Sequence, residues 1–181
     1  IVSIATAVPE WKHSQKELFH FIDKVYGNNA ADSRKMRFRY QQSGIDHRYT
    51  VVPDYSSAGT NAPQQFYNTS ESDNHFPTIE QRMRWFAEHA PALSQNAIEK
   101  CISGYIDKEQ ITHLITVSCT GMSAPGLDLQ LVEQMKLPST IMRSSVNFMG
   151  CYAAIHALKM ADAFCKADPD ANIVIVCTEL C

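Results

Sequence analysis

The sequence predicts an α/β fold with a mixed, mostly parallel sheet. In the second half of the chain, short runs of β-branched residues alternate with helical patterns of apolar residues. This alternation predicts strands over 113–118, 140–146 and 172–177, and helices over 127–135 and 152–166. Strands that alternate with helices pair in parallel, because each helix returns the chain to the same end of the sheet.

The first half of the chain is predicted to begin with a strand and a helix. Residues 1–9 are apolar and rich in β-branched side chains, which predicts a buried strand that ends at its final proline. Ser14 and Glu17 have the spacing of a capping box, so a helix is expected to begin here. The Gly-Asn-Asn sequence at 27–29 is expected to end it.

Three further segments precede the alternating region. A second helix is predicted over 31–42, and its basic side chains form either a solvated face or a functional one. Residues 50–77 are rich in Pro, Ser, Asn and Asp without periodicity, which is typical of a surface loop. A long helix is predicted over 78–104. The basic residues of the second helix are Arg34, Lys35, Arg37 and Arg39.

The composition is that of a soluble globular protein. Apolar residues make up 45% and charged residues 19% of the 181 positions. The net charge of −3 disfavours nucleic-acid binding, which needs a basic face. No apolar run approaches the roughly 18 residues of a membrane span, and residues 1–9 lack the basic flank of a signal peptide. We therefore expect a cytoplasmic protein that binds neither nucleic acid nor membranes.

The six cysteines predict neither a metal site nor a set of structural disulfides. No Cys-x-x-Cys sequence occurs, and no cysteine and histidine have the spacing of a zinc site. In a reducing cytoplasm, disulfides are rare. Most of these cysteines are therefore expected to be small buried side chains.

The helix over 152–166 is apolar on almost every side, which is typical of a helix buried inside a larger structure. The strand over 172–177 is followed by no polar cap. Natural termini usually lie in exposed polar segments. We therefore expect the chain to be truncated, with a C-terminal half that supplies the missing packing.

Cys151 is the strongest candidate for a catalytic residue. It lies where a strand and a short turn enter the buried helix, and unpaired N–H groups at a helix N-terminus stabilise a thiolate. Gly150 permits a tight turn just before it. From placement alone, an inert core cysteine remains an alternative.

A loop over 118–126 adds a second element to this candidate site. It follows one predicted strand and precedes a helix, so it lies at the carboxyl end of that strand. Ligands of open α/β sheets bind at this edge. Because Cys151 also follows a strand, both segments are expected at the same edge. The loop matches neither of the common phosphate-binding sequences.

Several segments resemble the type III polyketide synthases of the chalcone synthase kind, and they occur in the family's order. These segments are Cys119-Thr-Gly121, Pro125-Gly-Leu-Asp128, Gly150-Cys-Tyr-Ala-Ala154 and Ile175-Val-Cys-Thr-Glu179. Ile4-Ala-Thr-Ala-Val-Pro9 and Ser43-Gly-Ile-Asp-His-Arg-Tyr49 extend the resemblance over nearly the whole chain. It implies a thiolase-like fold, of which 1–181 would be the N-terminal domain, with a buried helix that carries the nucleophilic Cys151.

The resemblance implies a decarboxylative condensation. Cys151 would take an acyl group from a coenzyme A thioester, and a malonyl unit would then lose carbon dioxide and attack the bound acyl chain as an enolate. In the family, a histidine and an asparagine from the second half stabilise that enolate. His156 is expected to be a packing residue instead. The expected substrates are acyl-CoA and malonyl-CoA, with no other cofactor and no metal.

Other residues match binding positions of the family. Cys119 and Thr120 match residues that line the acyl pocket, and Lys35 matches a residue that binds coenzyme A. Gln42 stands where a lysine is common. The segment 122–124 matches one that reaches the partner subunit's cavity, which implies a homodimer, and its Ala124 is smaller than the methionine common in plant enzymes.

Two alternatives remain open at this point. One is a ketoacyl carrier-protein synthase of the initiating type, which has a similar nucleophile but takes its acyl group from a carrier protein. The other is a catalytically inactive interaction domain of the same fold. Dependence on coenzyme A or on a carrier protein distinguishes the first, and selective thiol labelling of Cys151 distinguishes the second.

Overall fold

The computed structural model of the chain describes residues 1–27, 29–57, 66–67 and 76–180. They form two compact units. One unit consists of the described residues between 8 and 81, and the other of residues 1–7 and 82–180. Within the described part, no helix is both long enough and apolar enough to cross a membrane.

The unit within 8–81 contains a two-stranded antiparallel sheet and two helices. The strands pair with Trp11 opposite Thr50 and Ser14 opposite His47. A short 3-10 helix, Pro53–Ser57, follows the second strand. The elements in chain order are β1 (Trp11–Ser14), α1 (Gln15–Tyr26), α2 (Ala30–Gln41) and β2 (His47–Thr50).

The capping box predicted for α1 is confirmed. The Glu17 N–H donates to the Ser14 hydroxyl at 3.2 Å, and the Glu17 carboxylate accepts from the Ser14 N–H at 2.7 Å. The helix ends at Tyr26, with Gly27 as its cap, as the sequence predicted. Its buried face packs into the core of this unit and consists of Leu18, Phe19, Phe21 and Val25, together with Gln15.

The second helix, α2, is confirmed within one residue of its predicted limits. The Asn29 side chain caps it by accepting from the N–H groups of Ala31 and Asp32, both at 3.0 Å. No residue of α2 is buried, and its four basic side chains are exposed. Most of the loop predicted over 50–77 lies outside the described residues.

The second unit is an α/β layer with a parallel sheet, as predicted. Strand β3 lies in the centre, between β4 and β5, and both pairings are parallel. Every residue of β3 is buried. The elements in chain order are α3 (Ile79–Ile102), β3 (His113–Ser118), α4 (Leu127–Met135), β4 (Met142–Asn147), α5 (Ala153–Ala167) and β5 (Ile173–Cys177), where α3 begins in the other unit.

Helices cover both faces of this sheet. Leu114 of β3 packs in one cluster with residues of α3 and α4, such as Phe86 and Leu131. The next residue, Ile115, points to the opposite face and packs with Ala153 of α5. The alternation of side chains along β3 thus divides the core into two layers.

The strand predicted over 1–9 is wrong. The structure has no strand there, and no strand among the described residues pairs with this segment. Apolar composition alone does not make a strand, because a strand also needs a neighbour for its backbone groups. The exposed apolar residues of the segment are Ile1, Val2, Ile4 and Val8.

The structure bears on three expectations about burial, those for α5, for His156 and for the cysteines. Helix α5 is enclosed only on its sheet side within this chain, because Ala153 and Ala157 are buried while Ile155 is 54% exposed, and the expectation that a further half of the protein covers the rest stays a prediction. His156 is exposed, so its predicted packing role is wrong here. The expectation that most cysteines are buried is wrong as well. Of the five cysteines described, Cys101 and Cys119 are half-buried, and Cys151, Cys165 and Cys177 are exposed.

Candidate active site at the carboxyl edge of the sheet

Cys151 lies in the turn that joins β4 to α5. The Phe148 N–H donates to the Ser118 carbonyl at 3.0 Å, which continues the strand pairing just beyond β4. Phe148 and Gly150 then adopt left-handed backbone conformations, with φ values of 56° and 79°. These two residues reverse the chain from the strand into the helix. The Ala153 N–H closes the turn on the Gly150 carbonyl at 3.0 Å.

The turn leaves Cys151 exposed at the amino end of a 15-residue helix. Cys151 precedes the first helical residue, Ala153, by two positions. The N–H groups of a first helical turn have no partners inside the helix, and the helix dipole is positive at this end. Such a place favours a negative charge by about 0.3–1 kcal/mol. Cys151 thus lies next to the positive end of the α5 dipole.

The loop after β3 meets this turn through a sulfur contact. The Gly150 N–H donates to the Cys119 Sγ at 3.1 Å, so the residue directly before Cys151 is held by the second cysteine. The prediction that these two segments share one edge of the sheet is confirmed. The structure thus brings Cys119, Thr120 and Cys151 together in one unit.

The Glu179 carboxylate holds the 119–120 backbone in place. It accepts hydrogen bonds from the Cys119 N–H at 2.8 Å, from the Thr120 N–H at 2.9 Å and from the Thr120 hydroxyl at 2.6 Å. The Leu180 N–H donates to the same hydroxyl at 2.9 Å. The sequence reasoning placed Glu179 in a family motif but gave it no role. Its position shortly after β5, at the same edge of the sheet, is the feature of the sequence that could have pointed to a role in the site.

Gly121 allows the loop to lie against α3. A Cβ atom at this position would lie 2.5 Å from the Phe86 Cβ and closer still to the Phe86 ring. Phe86 belongs to the core and is only 3% exposed. The loop can therefore approach the helix this closely only because residue 121 has no side chain.

The end of the loop is fixed to α4. The Gln130 side-chain amide donates to the Ser123 hydroxyl at 3.0 Å and to the Pro125 carbonyl at 2.8 Å. Asp128 in the first turn of α4 forms a 2.5 Å ion pair with Arg143 of β4. The middle of the loop is open to solvent, since Met122 and Ala124 are both exposed.

Lys35 lies in the other unit, on α2. Its side chain is 72% exposed, and its Nζ lies 3.8 Å from the Asp32 carboxylate. No other ion pair involves it among the described residues. Those residues also contain no group of three or more His, Cys, Asp or Glu side chains that could hold a metal ion.

Residues 1–181 match the family model of the chalcone and stilbene synthases, N-terminal domain. The chain belongs to this family. A chalcone synthase-like N-terminal domain explains the order of the motifs and their meeting at one sheet edge.

Curated relatives of this chalcone synthase-like domain are polyketide synthases. The chain is 30% identical over 182 residues to "Probable polyketide synthase 1" of Dictyostelium discoideum, covering all of this chain and 6% of that protein. It is 38% identical over 105 residues to "Alpha-pyrone synthesis polyketide synthase-like Pks18" of Mycobacterium tuberculosis, covering 58% of this chain and 27% of that protein.

Solved structures confirm the thiolase-like α/β fold of the chalcone synthase-like domain. The C-terminal type III polyketide synthase domain of Steely1, a type I/III hybrid from Dictyostelium, has a TM-score of 0.84 at 28% identity. The match covers 100% of this chain and 47% of that chain. PKS-I from the brown alga Ectocarpus siliculosus has a TM-score of 0.86 at 27% identity, with 99% of this chain and 47% of that chain covered. The chain thus spans less than half the length of these relatives.

Proposed function

We propose that this chain carries the nucleophile of a type III polyketide synthase that condenses malonyl-CoA with an acyl starter bound to Cys151. The observation that carries the proposal is the exposed Cys151 at the amino end of α5, inside a segment typical of the family. Its neighbour Gly150 is in turn held by the Cys119 sulfur.

The proposed chemistry has two parts. The Cys151 thiolate attacks the carbonyl carbon of an acyl-CoA, and the carbon–sulfur bond to coenzyme A breaks, so that coenzyme A leaves as a thiol after taking up a proton. Malonyl-CoA then loses carbon dioxide, and the resulting enolate carbon attacks the acyl group on Cys151. The new carbon–carbon bond forms as the thiolate of Cys151 is released. No resident cofactor or metal takes part, because the thioester and the carboxylate of the substrates supply the driving force.

Cys119 and Thr120 are proposed to line the acyl pocket. The hydroxyl of Thr120 donates to Glu179 and accepts from the Leu180 N–H. Its remaining group is a methyl, which suits contact with a hydrocarbon chain. The Cys119 sulfur is half-buried and polarisable, and it contributes a second weakly polar surface.

Three further roles complete the proposal. Lys35 is exposed and charged, and it would bind a phosphate of coenzyme A as a point charge. The exposed Met122 and Ala124 would reach a second copy of the chain in a homodimer. The protein would act in the cytoplasm. The polyketide synthase names of the relatives favour this function over a carrier-protein-dependent synthase or an inactive domain.

Intact-mass and peptide mass spectrometry of the full-length protein test the nucleophile. After incubation with hexanoyl-CoA, we expect one hexanoyl adduct, located on Cys151. The Cys151→Ala variant should lose the adduct, whereas Cys165→Ala, which removes another exposed cysteine of the same unit, should keep it. An adduct on a different cysteine, or none with a folded protein, would overturn the proposal.

A further inference from the structure

Helix α3 carries a polar side chain in the middle of its buried face. Most buried residues of this helix are four positions apart, because such positions lie on the same side of a helix. The apolar members of this row are Phe86, Ala90, Ile98 and Ile102. Ser94 occupies the central position of the row and is only 1% exposed. The helical period therefore predicts an apolar side chain at 94, where the sequence has a hydroxyl.

The chain just beyond β5 shows the same exception with the period of a strand. Val174 and Val176 are buried, and they pack in the cluster that includes residues of α3. Thr178 is the next residue on this side of the strand and is only 3% exposed. Its N–H donates to the Val117 carbonyl at 2.9 Å, so the pairing with β3 continues past the end of β5. The strand period thus predicts an apolar residue at 178 as well.

The two unexpected hydroxyls form a hydrogen bond with each other. The Ser94 Oγ and the Thr178 Oγ1 are 2.6 Å apart, which gives each buried hydroxyl a partner. An apolar pair of similar shape, such as alanine and valine, would fill this space with little change in stability. What the hydrogen bond adds to packing is a fixed distance and direction. Departures from the local pattern of this kind are expected at functional sites.

The residues that follow Thr178 hold the loop after β3. The Glu179 carboxylate accepts from the N–H groups of Cys119 and Thr120 at 2.8 and 2.9 Å. The Leu180 N–H donates to the Thr120 hydroxyl at 2.9 Å. Because both contacts start from residues directly after 178, a shift at 178 would displace them together.

We propose that Ser94 and Thr178 are positioning residues for the nucleophile Cys151. Their hydrogen bond fixes the segment after β5, and this segment holds the loop after β3. The Cys119 sulfur of that loop accepts from the Gly150 N–H, directly before Cys151. Both hydroxyls are buried, so they act through these contacts and not on the substrate. The inference rests on the proposed function, because the step that it controls is the acylation of Cys151.

The test compares single and double variants of the full-length protein. Ser94→Ala or Thr178→Val alone leaves a buried hydroxyl without its partner, so each should lower the Tm. The double variant removes both hydroxyls, and its Tm should return to within about 2 °C of that of the unchanged protein. Mass spectrometry then follows the acylation of Cys151 by hexanoyl-CoA.

The acylation rate should not recover with the Tm. At saturating hexanoyl-CoA, all three variants should be about tenfold slower than the unchanged protein, because a small misplacement of a reacting group is enough for such a loss. The hexanoyl-CoA concentration that gives the half-maximal rate should stay the same, since neither hydroxyl contacts the substrate. Hydrogen exchange of the Cys119 and Thr120 N–H groups should be faster in the double variant.

A second hydroxyl pair of the same sheet provides the matched control. The Thr116 and Ser145 oxygens are 3.0 Å apart, and the two residues occupy paired positions of β3 and β4. This pair lies within the strands and not beyond their ends. Thr116→Val/Ser145→Ala should therefore leave both the acylation rate and the exchange at 119–120 unchanged.

Three results would refute the positioning role. They are an acylation rate that recovers with the Tm in the double variant, an equal loss of rate in the Thr116→Val/Ser145→Ala control, and unchanged exchange at 119–120 in the double variant. If hexanoyl-CoA does not acylate Cys151 in the unchanged protein, the proposed function fails instead. The exchange measurement still tests the contacts in that case, because it needs no substrate.

Discussion

The close approach of the 119–126 loop to α3 makes Gly121→Ala a sharp test of the site's packing. The added Cβ would lie 2.5 Å from the Cβ of Phe86, an atom that is fixed to the backbone of α3. Rotating the Phe86 ring cannot relieve this contact, so either the loop or the helix must move. Overpacking of a core lowers the free energy of unfolding by about 1–3 kcal/mol, and for Gly121→Ala we expect a value near the upper limit, about 3 kcal/mol.

Thermal unfolding of the full-length protein provides the measurement. For a domain of this size, about 1 kcal/mol corresponds to about 2–4 °C, so Gly121→Ala should lower the Tm by about 6–12 °C. Gly104→Ala is the matched control in the same unit. A Cβ at Gly104 meets nothing within 4 Å, but its φ of 78° is left-handed, so only a backbone cost of about 1 kcal/mol is expected.

The relative loss of Tm in these two variants tests the steric argument. If Gly121→Ala unfolds within about 2 °C of the unchanged protein, the loop does not lie against Phe86 as described. A larger loss in Gly104→Ala than in Gly121→Ala would likewise refute the steric argument, because backbone strain would then outweigh the clash.

Two further predictions concern the Glu179 carboxylate and the capping box of α1. Glu179→Gln should lower the free energy of unfolding by only about 1 kcal/mol, since the carboxylate is exposed, and it should speed hydrogen exchange of the Cys119 and Thr120 N–H groups. The control Glu133→Gln should leave this exchange unchanged. Unchanged exchange in Glu179→Gln would contradict the role of the carboxylate. Ser14→Ala should lower the free energy of unfolding by about 1 kcal/mol at pH 7, because the helix loses its N-cap side chain. The Ser14 N–H, and next its hydroxyl, hold the pKa of Glu17 below its usual value. The stability that this adds is present above about pH 4.3 and is lost as the pH falls through the lowered pKa. The difference in urea midpoint between the two proteins should therefore shrink towards pH 3, and a constant difference would refute the linkage.

The sequence predicted best the elements whose signals are local. The limits of β3 and α4 agree residue for residue with the prediction, because each element has its own apolar period and clear boundaries. The capping box of α1 is also local, since it involves residues three apart. Short polar strands carry no such signal. Strands β1 and β2 were missed because they are four residues long, and their partners are separated by both helices of that unit.

For the site, the sequence predicted location better than contacts. The shared sheet edge followed from the strand and helix order, which placed Cys119 and Cys151 near each other. The hydrogen bonds of Glu179 depend on how the segments after β3 and β5 meet, and neither segment alone contains that information. For α5, apolar residues such as Ile155 show what a helix can bury but not what covers it.

The two left-handed residues before α5 have a consequence for enzyme engineering. The backbone torsions at Phe148 and Gly150 lead the chain into Cys151, and the Cys119 sulfur accepts the Gly150 N–H within the same turn. Mutational libraries of this domain should therefore leave 148–152 constant, because a β-branched replacement at 150 would have to adopt a φ of 79°, which such residues rarely do. Cys119 should stay constant as well, because its sulfur accepts the Gly150 N–H at 3.1 Å.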